Sequence, residues 1–120
     1  MEKKFNLKTG KLGEDIAEKF LEEKGYKIIS RNFKTKYSEI DLIVAKNKFL
    51  VFVEVKTRVG DNFGLPEGAI NRKKRSRLEK AARAFTAFNN WEGPFRIDAI
   101  CIVLDKNHKV NQLRHHENIS

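Results

Sequence analysis

Cysteine is nearly absent: one thiol, Cys101, cannot make an internal disulfide. It lies inside an apolar strand pattern and reads as a buried, inert thiol in a reducing compartment, so a cytoplasmic protein is expected. Long hydrophobic runs are also missing. The longest, Ala99 to Leu104, falls far short of the roughly 20 residues that a membrane span requires, and no membrane partner is expected. The opening segment MEKKFNLKTG carries charge with no apolar stretch behind it, so no signal peptide is expected. There is no Gly-rich phosphate loop, no CxxC pair and no Ser/His/Asp set with strand or helix context. With no internal repeat and no low-complexity tract, residues 1–120 are expected to form one domain, with 1–8 and 115–120 loosely ordered.

Negative charge is the scarcer sign. Against 25 Lys and Arg stand 16 Asp and Glu, for a net charge of +9. That balance favours a polyanionic partner, nucleic acid or an anionic surface, and says nothing about fold.

The stretch SEIDLIVAKNKFLVFVEVKTR, Ser38 to Arg58, organises the rest. Two apolar runs rich in β-branched and aromatic residues flank Lys46-Asn47-Lys48, which predicts a hairpin. Before it, a helix is expected from about Thr9, with Leu12, Ile16, Ala17, Phe20 and Leu21 on one face, Thr9 as N-cap and Gly25 as the stop. Gly13 falls in the middle of that face, where a missing side chain permits close packing on a sheet. Glu14 falls at its edge. Tyr26 to Phe33 predicts a first strand, and Arg58 to Pro66 a loop bordering whatever the hairpin end does. Pro66 to about Phe88 is helical, with Gly68 delaying or breaking its start. Ile97 to Leu104 is a nearly continuous apolar run, as in a central strand buried on both faces, and Val110 to Arg114 is expected as a short edge strand.

The chemistry sits in the acids that interrupt the hairpin. Glu54 and Lys56 are two apart and so share a face, and the hairpin can bring Asp41 beside them. Carboxylates set into a buried hairpin are costly unless paired or metal-bound. An E-x-K pair alone reads as an ion pair or a solvated face. Adding Asp41 brings in a second reading, a site of hard oxygen ligands for Mg²⁺ or Mn²⁺. Lys56 would then assist the attacking water, and Glu14 would join from the first helix. Glu39 reads as solvent-facing or pairing, and Asp98 as the partner of a nearby Arg or Lys. Arg72, Lys73, Lys74, Arg75, Arg77, Lys80 and Arg83 make the second helix strongly basic. Following the loop beside the acids, they read better as a phosphate-binding surface than as a solvated face. His108, His115 and His116 are weak zinc candidates, the last two in a polar tail.

Taken together, D…E-x-K on a hairpin, a Glu on the preceding helix and an αβββαβ order resemble the PD-(D/E)xK nuclease superfamily. More closely, the chain resembles the YraN-like family of predicted endonucleases, distantly similar to archaeal Holliday junction resolvases. The likeness is carried by Gly13-Glu14 with Ala17 and Leu21, Gly25-Tyr26, Arg31-Asn32-Phe33, Glu39 to Ile43, Phe52 to Arg58 and Arg96-x-Asp98. Ser38 stands where that family often has Gly. The resemblance implies an α/β, restriction-endonuclease-like αβββαβ core, its mixed central sheet flanked by helices. It places Glu14, Asp41 and Glu54 as metal-binding acids and Lys56 as the catalytic lysine. The activity expected is Mg²⁺- or Mn²⁺-dependent cleavage of DNA rather than RNA, branched or damaged DNA included. Arg58, Arg72, Lys73, Lys74, Arg75 and Arg77 are expected to contact its backbone. The alternative is a nucleic-acid-binding module of the same fold that cuts little or nothing. Cutting both strands of a symmetrical junction would require a homodimer.

Overall fold

The hairpin at the centre of the sequence is also the centre of the fold. Strand β2 (Glu39–Lys46) and strand β3 (Phe49–Val59) pair antiparallel, with Lys46 opposite Phe49. Asn47 and Lys48 both have positive φ, the conformation that a two-residue hairpin turn requires. The computed structural model describes residues 2–60 and 65–120, with side chains from Thr9 onward. Helix α1 (Glu2–Glu23), strand β1 (Lys27–Lys34), a 3₁₀ turn at Pro66–Ala69, helix α2 (Arg72–Phe88), strand β4 (Phe95–Leu104) and strand β5 (Val110–His116) complete the order. One mixed sheet runs β1-β2-β3-β4-β5. Only β3 and β4 are parallel, joined by the crossover that carries α2. The αβββαβ core is therefore present, with β5 added at the edge beside β4.

Strand alternation divides the core between the two faces. Val51, Val53 and Val55 of β3 pack with Ala17 and Leu21 of α1. Leu50 and Phe52 of β3 pack with Leu78, Ala81 and Ala82 of α2. Every residue of β4 from Ile97 to Leu104 is buried, Asp98 included, as a central strand covered on both faces requires. Gly25 ends the first helix at φ +92, and the Tyr26 N–H reaches back to the Leu21 carbonyl at 2.9 Å.

Two expectations, at the two ends of the chain, are corrected, and one is met. Helix α1 begins at Glu2, so Thr9 is a buried residue well inside it rather than its N-cap, and residues 2–8 are helical backbone. The second helix does start late, capped by Asn71, whose side chain accepts the Lys74 N–H at 2.9 Å. Strand β5 reaches His116, so His115 and His116 stand in a strand and not in a frayed tail. Beyond it, the Ile119 N–H still bonds the Ile97 carbonyl at 2.7 Å. The loop expected over Arg58–Pro66 has its middle, residues 61–64, outside the described residues. No helix among the described residues is long and apolar enough to cross a membrane.

Candidate metal and nucleic-acid site

Pairing between β2 and β3 runs only as far as Leu42 opposite Val53. Past that point β2 parts from β3, and the Asp41 side chain takes over the ladder, its Oδ2 accepting the Val55 N–H at 2.8 Å. Asp41 is thus fixed at the rim of the sheet. Glu54 follows Leu50 and Phe52 in the alternation and faces the α2 side, where it is 2 % exposed. Glu14 comes from α1 on the opposite side. Its Oε1 accepts from Asn32 Nδ2 at 3.0 Å and lies 3.5 Å from the Arg31 guanidinium. Asp41 lies close enough to each glutamate to raise its pKa. Among the described residues the three do not close into a triangle of donor atoms within 4.8 Å of one another. They form a line with Asp41 in the middle.

Crowding of like charge shows in their protonation. Burial first, then the Asp41 carboxylate, push Glu14 up to about 7, against the pull of Arg31. Burial and Asp41 likewise push Glu54 up, to about 8, while Lys74 and Lys56 pull it back. Two carboxyls so raised are poorly compensated by the groups around them. All-oxygen donors of this kind suit a hard divalent cation.

Beside the acids a cavity of about 290 Å³ opens between α1 and the end of β3, lined by Glu14, Lys56 and Arg58 with Thr9, Gly10, Val55 and Thr57. Helix α1 can approach this closely because residue 13 is glycine. A Cβ there would lie 1.8 Å from Thr57 Oγ1. The sequence-expected role of Gly13 is therefore met against one particular strand residue, and that contact seats Glu14.

Of the basic residues opening α2, Arg72, Lys73, Arg75 and Arg77 are exposed, while Lys74 is half-buried. Lys74 Nζ lies 3.4 Å from Glu54 Oε2. Within its charge run it looks like any other cation. The signal that distinguishes it is helical spacing: Lys74 begins the inward stripe that continues through Leu78, Ala81, Ala82 and Phe85. Arg31 and Asn32 were also missed as supports of Glu14. Asn32 sits at φ +56, a left-handed conformation that Asn tolerates, on a strand whose pairing shifts register just before it.

Two further clusters of titratable groups form around Asp98 and Glu67. Asp98, fully buried, accepts from Arg96 Nε at 2.9 Å, from the Asn118 N–H at 2.9 Å and bonds His115 Nε2 at 2.8 Å, so it has the Arg partner expected of it. Glu67, Cys101 and His116 bring their ligand atoms within 4.8 Å of one another. Arg114, however, forks across both Glu67 oxygens at 2.6 and 2.9 Å, and burial pushes the Cys101 thiol up to about 12. That arrangement is a satisfied ion cluster. His108 stands in the β4–β5 turn, its N–H donating to the Asp105 carbonyl at 2.9 Å.

Comparison with known proteins gives a consistent family likeness. A family model described as uncharacterised protein family UPF0102 matches residues 13–102, from the glycine within α1 to near the end of β4. A UPF0102 protein of Caldanaerobacter subterraneus subsp. tengcongensis is 48 % identical over 91 residues, covering 75 % of each chain. One from Chloroherpeton thalassium is 43 % identical over 102 residues, 84 % of this chain and 79 % of its own. One from Sulfurihydrogenibium is 42 % identical over 110 residues, 91 % of this chain and 90 % of its own.

Proposed function

We propose that this chain, which belongs to the UPF0102 family (the YraN-like group), is a divalent-metal-dependent nuclease that hydrolyses phosphodiester bonds in DNA. The observation that carries the reading is the line of Glu14, Asp41 and Glu54, with Asp41 pinned to the Val55 N–H and close enough to raise the pKa of both glutamates, beside a cavity lined by Lys56 and Arg58. Asp41 and Glu54 are the residues that would hold Mg²⁺ or Mn²⁺, and Glu14 with Asp41 would hold a second ion. Bound there, the cation would polarise a phosphoryl oxygen and acidify a water. The Lys56 ammonium, on the strand face of Glu54, would hydrogen-bond that water and stabilise negative charge building on the phosphorus oxygens. Arg58 and the exposed cations of α2 would hold the backbone on either side. Branched or damaged DNA is the substrate class that the family resemblance favours, and cutting a symmetrical junction would bring in a second copy of the chain.

The test is incubation with linear, nicked, flapped and four-way DNA, and with matched RNA, in Mg²⁺ and in Mn²⁺. Cleavage of at least one DNA that stops in EDTA and in Asp41→Ala is expected. Metal-independent binding without any cleavage would leave a nucleic-acid-binding module of the same fold.

A further inference from the structure

Lys74 is the one cation in the opening run of α2 that points inward. Arg72, Lys73, Arg75 and Arg77 are exposed, whereas the Lys74 side chain is 29 % exposed and ends against a Glu54 side chain that is 3 % exposed. Its direction is built in twice. The Asn71 cap accepts the Lys74 N–H and fixes the first turn. The stripe of Leu78, Ala81 and Ala82 then seats that face of α2 on the sheet. Among the described residues, Lys74 is the only group in ion-pair contact with Glu54. An ammonium seated on Glu54 is turned inward and held away from a passing phosphate. A divalent cation at the same carboxylate would repel it, and a four-carbon stem lets it move.

We propose that Lys74 is a reserve phosphate-binding residue: without metal its ammonium sits on Glu54, and metal entry releases it to the backbone of bound DNA. This rests on the metal-dependent nuclease reading and adds a consequence for binding. Metal and DNA should be coupled through Lys74, each favouring the other. Lys73, one residue away and exposed, should show no such coupling.

The experiment is fluorescence anisotropy of a labelled DNA duplex with the full chain across a salt series, in EDTA and in a fixed concentration of Ca²⁺ as the hard divalent probe. Wild type, Lys74→Ala and Lys73→Ala are compared. Lys74→Met, which keeps an apolar stem over the stripe, covers the case in which Lys74→Ala folds poorly. In EDTA, Lys74→Ala and wild type should give the same dependence of log K on log salt. In Ca²⁺, Lys74→Ala should be shallower by about 0.9, the slope of one phosphate contact. Lys73→Ala should be shallower by about that amount in both conditions. A Lys74→Ala loss of equal size with and without Ca²⁺ would make it an ordinary backbone contact and overturn the proposal. No change in either condition would leave only a structural ion pair and overturn it too. A wild type whose binding ignores Ca²⁺ would sink the metal reading itself.

Discussion

A carboxylate is informative here because of where it sits, not because it is acidic. Asp41, Glu54 and Lys56 were legible in the sequence because each breaks an apolar run whose alternation fixes the faces. Lys74 was not, since a charge run hides the one member that turns inward. The raised acids carry a measurable consequence. Glu14 is faced by Asp41, Arg31 and Glu39, and Glu54 by Asp41, Lys74 and Lys56. In the folded, metal-free chain both hold protons beyond their ordinary value of 4.5, up to about 7 and about 8 respectively. An acid raised on folding lends stability below its unfolded value, and that stability is lost as pH climbs through the folded one. Glu67, held down to about 2 chiefly by Arg114, acts in the opposite sense, but only below 4.5. Thermal melting in EDTA should therefore fall between about pH 5 and about pH 8. Mg²⁺ should restore part of the loss at the upper end, and Glu54→Gln should flatten the profile. A melting temperature that rises over this range would contradict the crowded-acid picture.

Helix α1 and helix α2 bring complementary halves of the site, and each rests on a feature that the sequence showed incompletely. Gly13 was visible as a gap in an apolar stripe, but its partner, Thr57, depends on how the helix lies across β3. Gly13→Ala drives a Cβ into the Thr57 side chain. Overpacking of this kind costs about 1–3 kcal/mol, partly offset by the better helix propensity of Ala. Urea unfolding should show that loss, and adding Thr57→Ala should recover more than half of it. Because the same contact seats Glu14, the single variant should also weaken metal binding. On α2, the exposed cations Arg72, Lys73, Arg75 and Arg77 should bind backbone without sequence preference. If they make about four contacts, log K against log salt should slope by about −3.6 on duplex DNA. Replacing all four with Ala should flatten the slope and weaken every sequence alike; an unchanged slope would return them to a solvated face. The extents of α1 and β5 were underestimated because their outer residues are polar, and periodicity is faint where few apolar side chains mark it.

At the scale of the whole molecule, two polar centres organise the sheet. Asp98 ties the start of β4 to β5 through His115, to the chain beyond β5 through Asn118, and to Tyr26 ahead of β1 through Arg96, whose Nη2 donates to the Tyr26 hydroxyl at 2.7 Å. Burial favours its neutral form, but the bonds from His115 and Arg96 win, and its pKa lies below the ordinary value. Asp98→Ala would take the carboxylate from His115 Nε2, Arg96 Nε and the Asn118 N–H, leaving Arg96 with Glu117 and Tyr26, and losing one partner of a buried pair costs about 3–5 kcal/mol. Urea midpoints should report a loss of that order, with Asp98→Asn intermediate. The order of elements was legible from strand patterns, and so was the need of Asp98 for an Arg or Lys partner, which the structure supplies as Arg96. The inclusion of His115 was not, because its partner is 17 residues away across a strand pair. The other centre, the line of Glu14, Asp41 and Glu54, is the claim on which the functional reading stands. Its most direct test is calorimetric titration of Mn²⁺ into wild type, Asp41→Ala and Lys56→Ala. Wild type and Lys56→Ala are expected to bind alike, because lysine is no ligand, while Asp41→Ala loses binding. Mn²⁺ uptake by Asp41→Ala equal to that of wild type would contradict a metal site centred on that carboxylate.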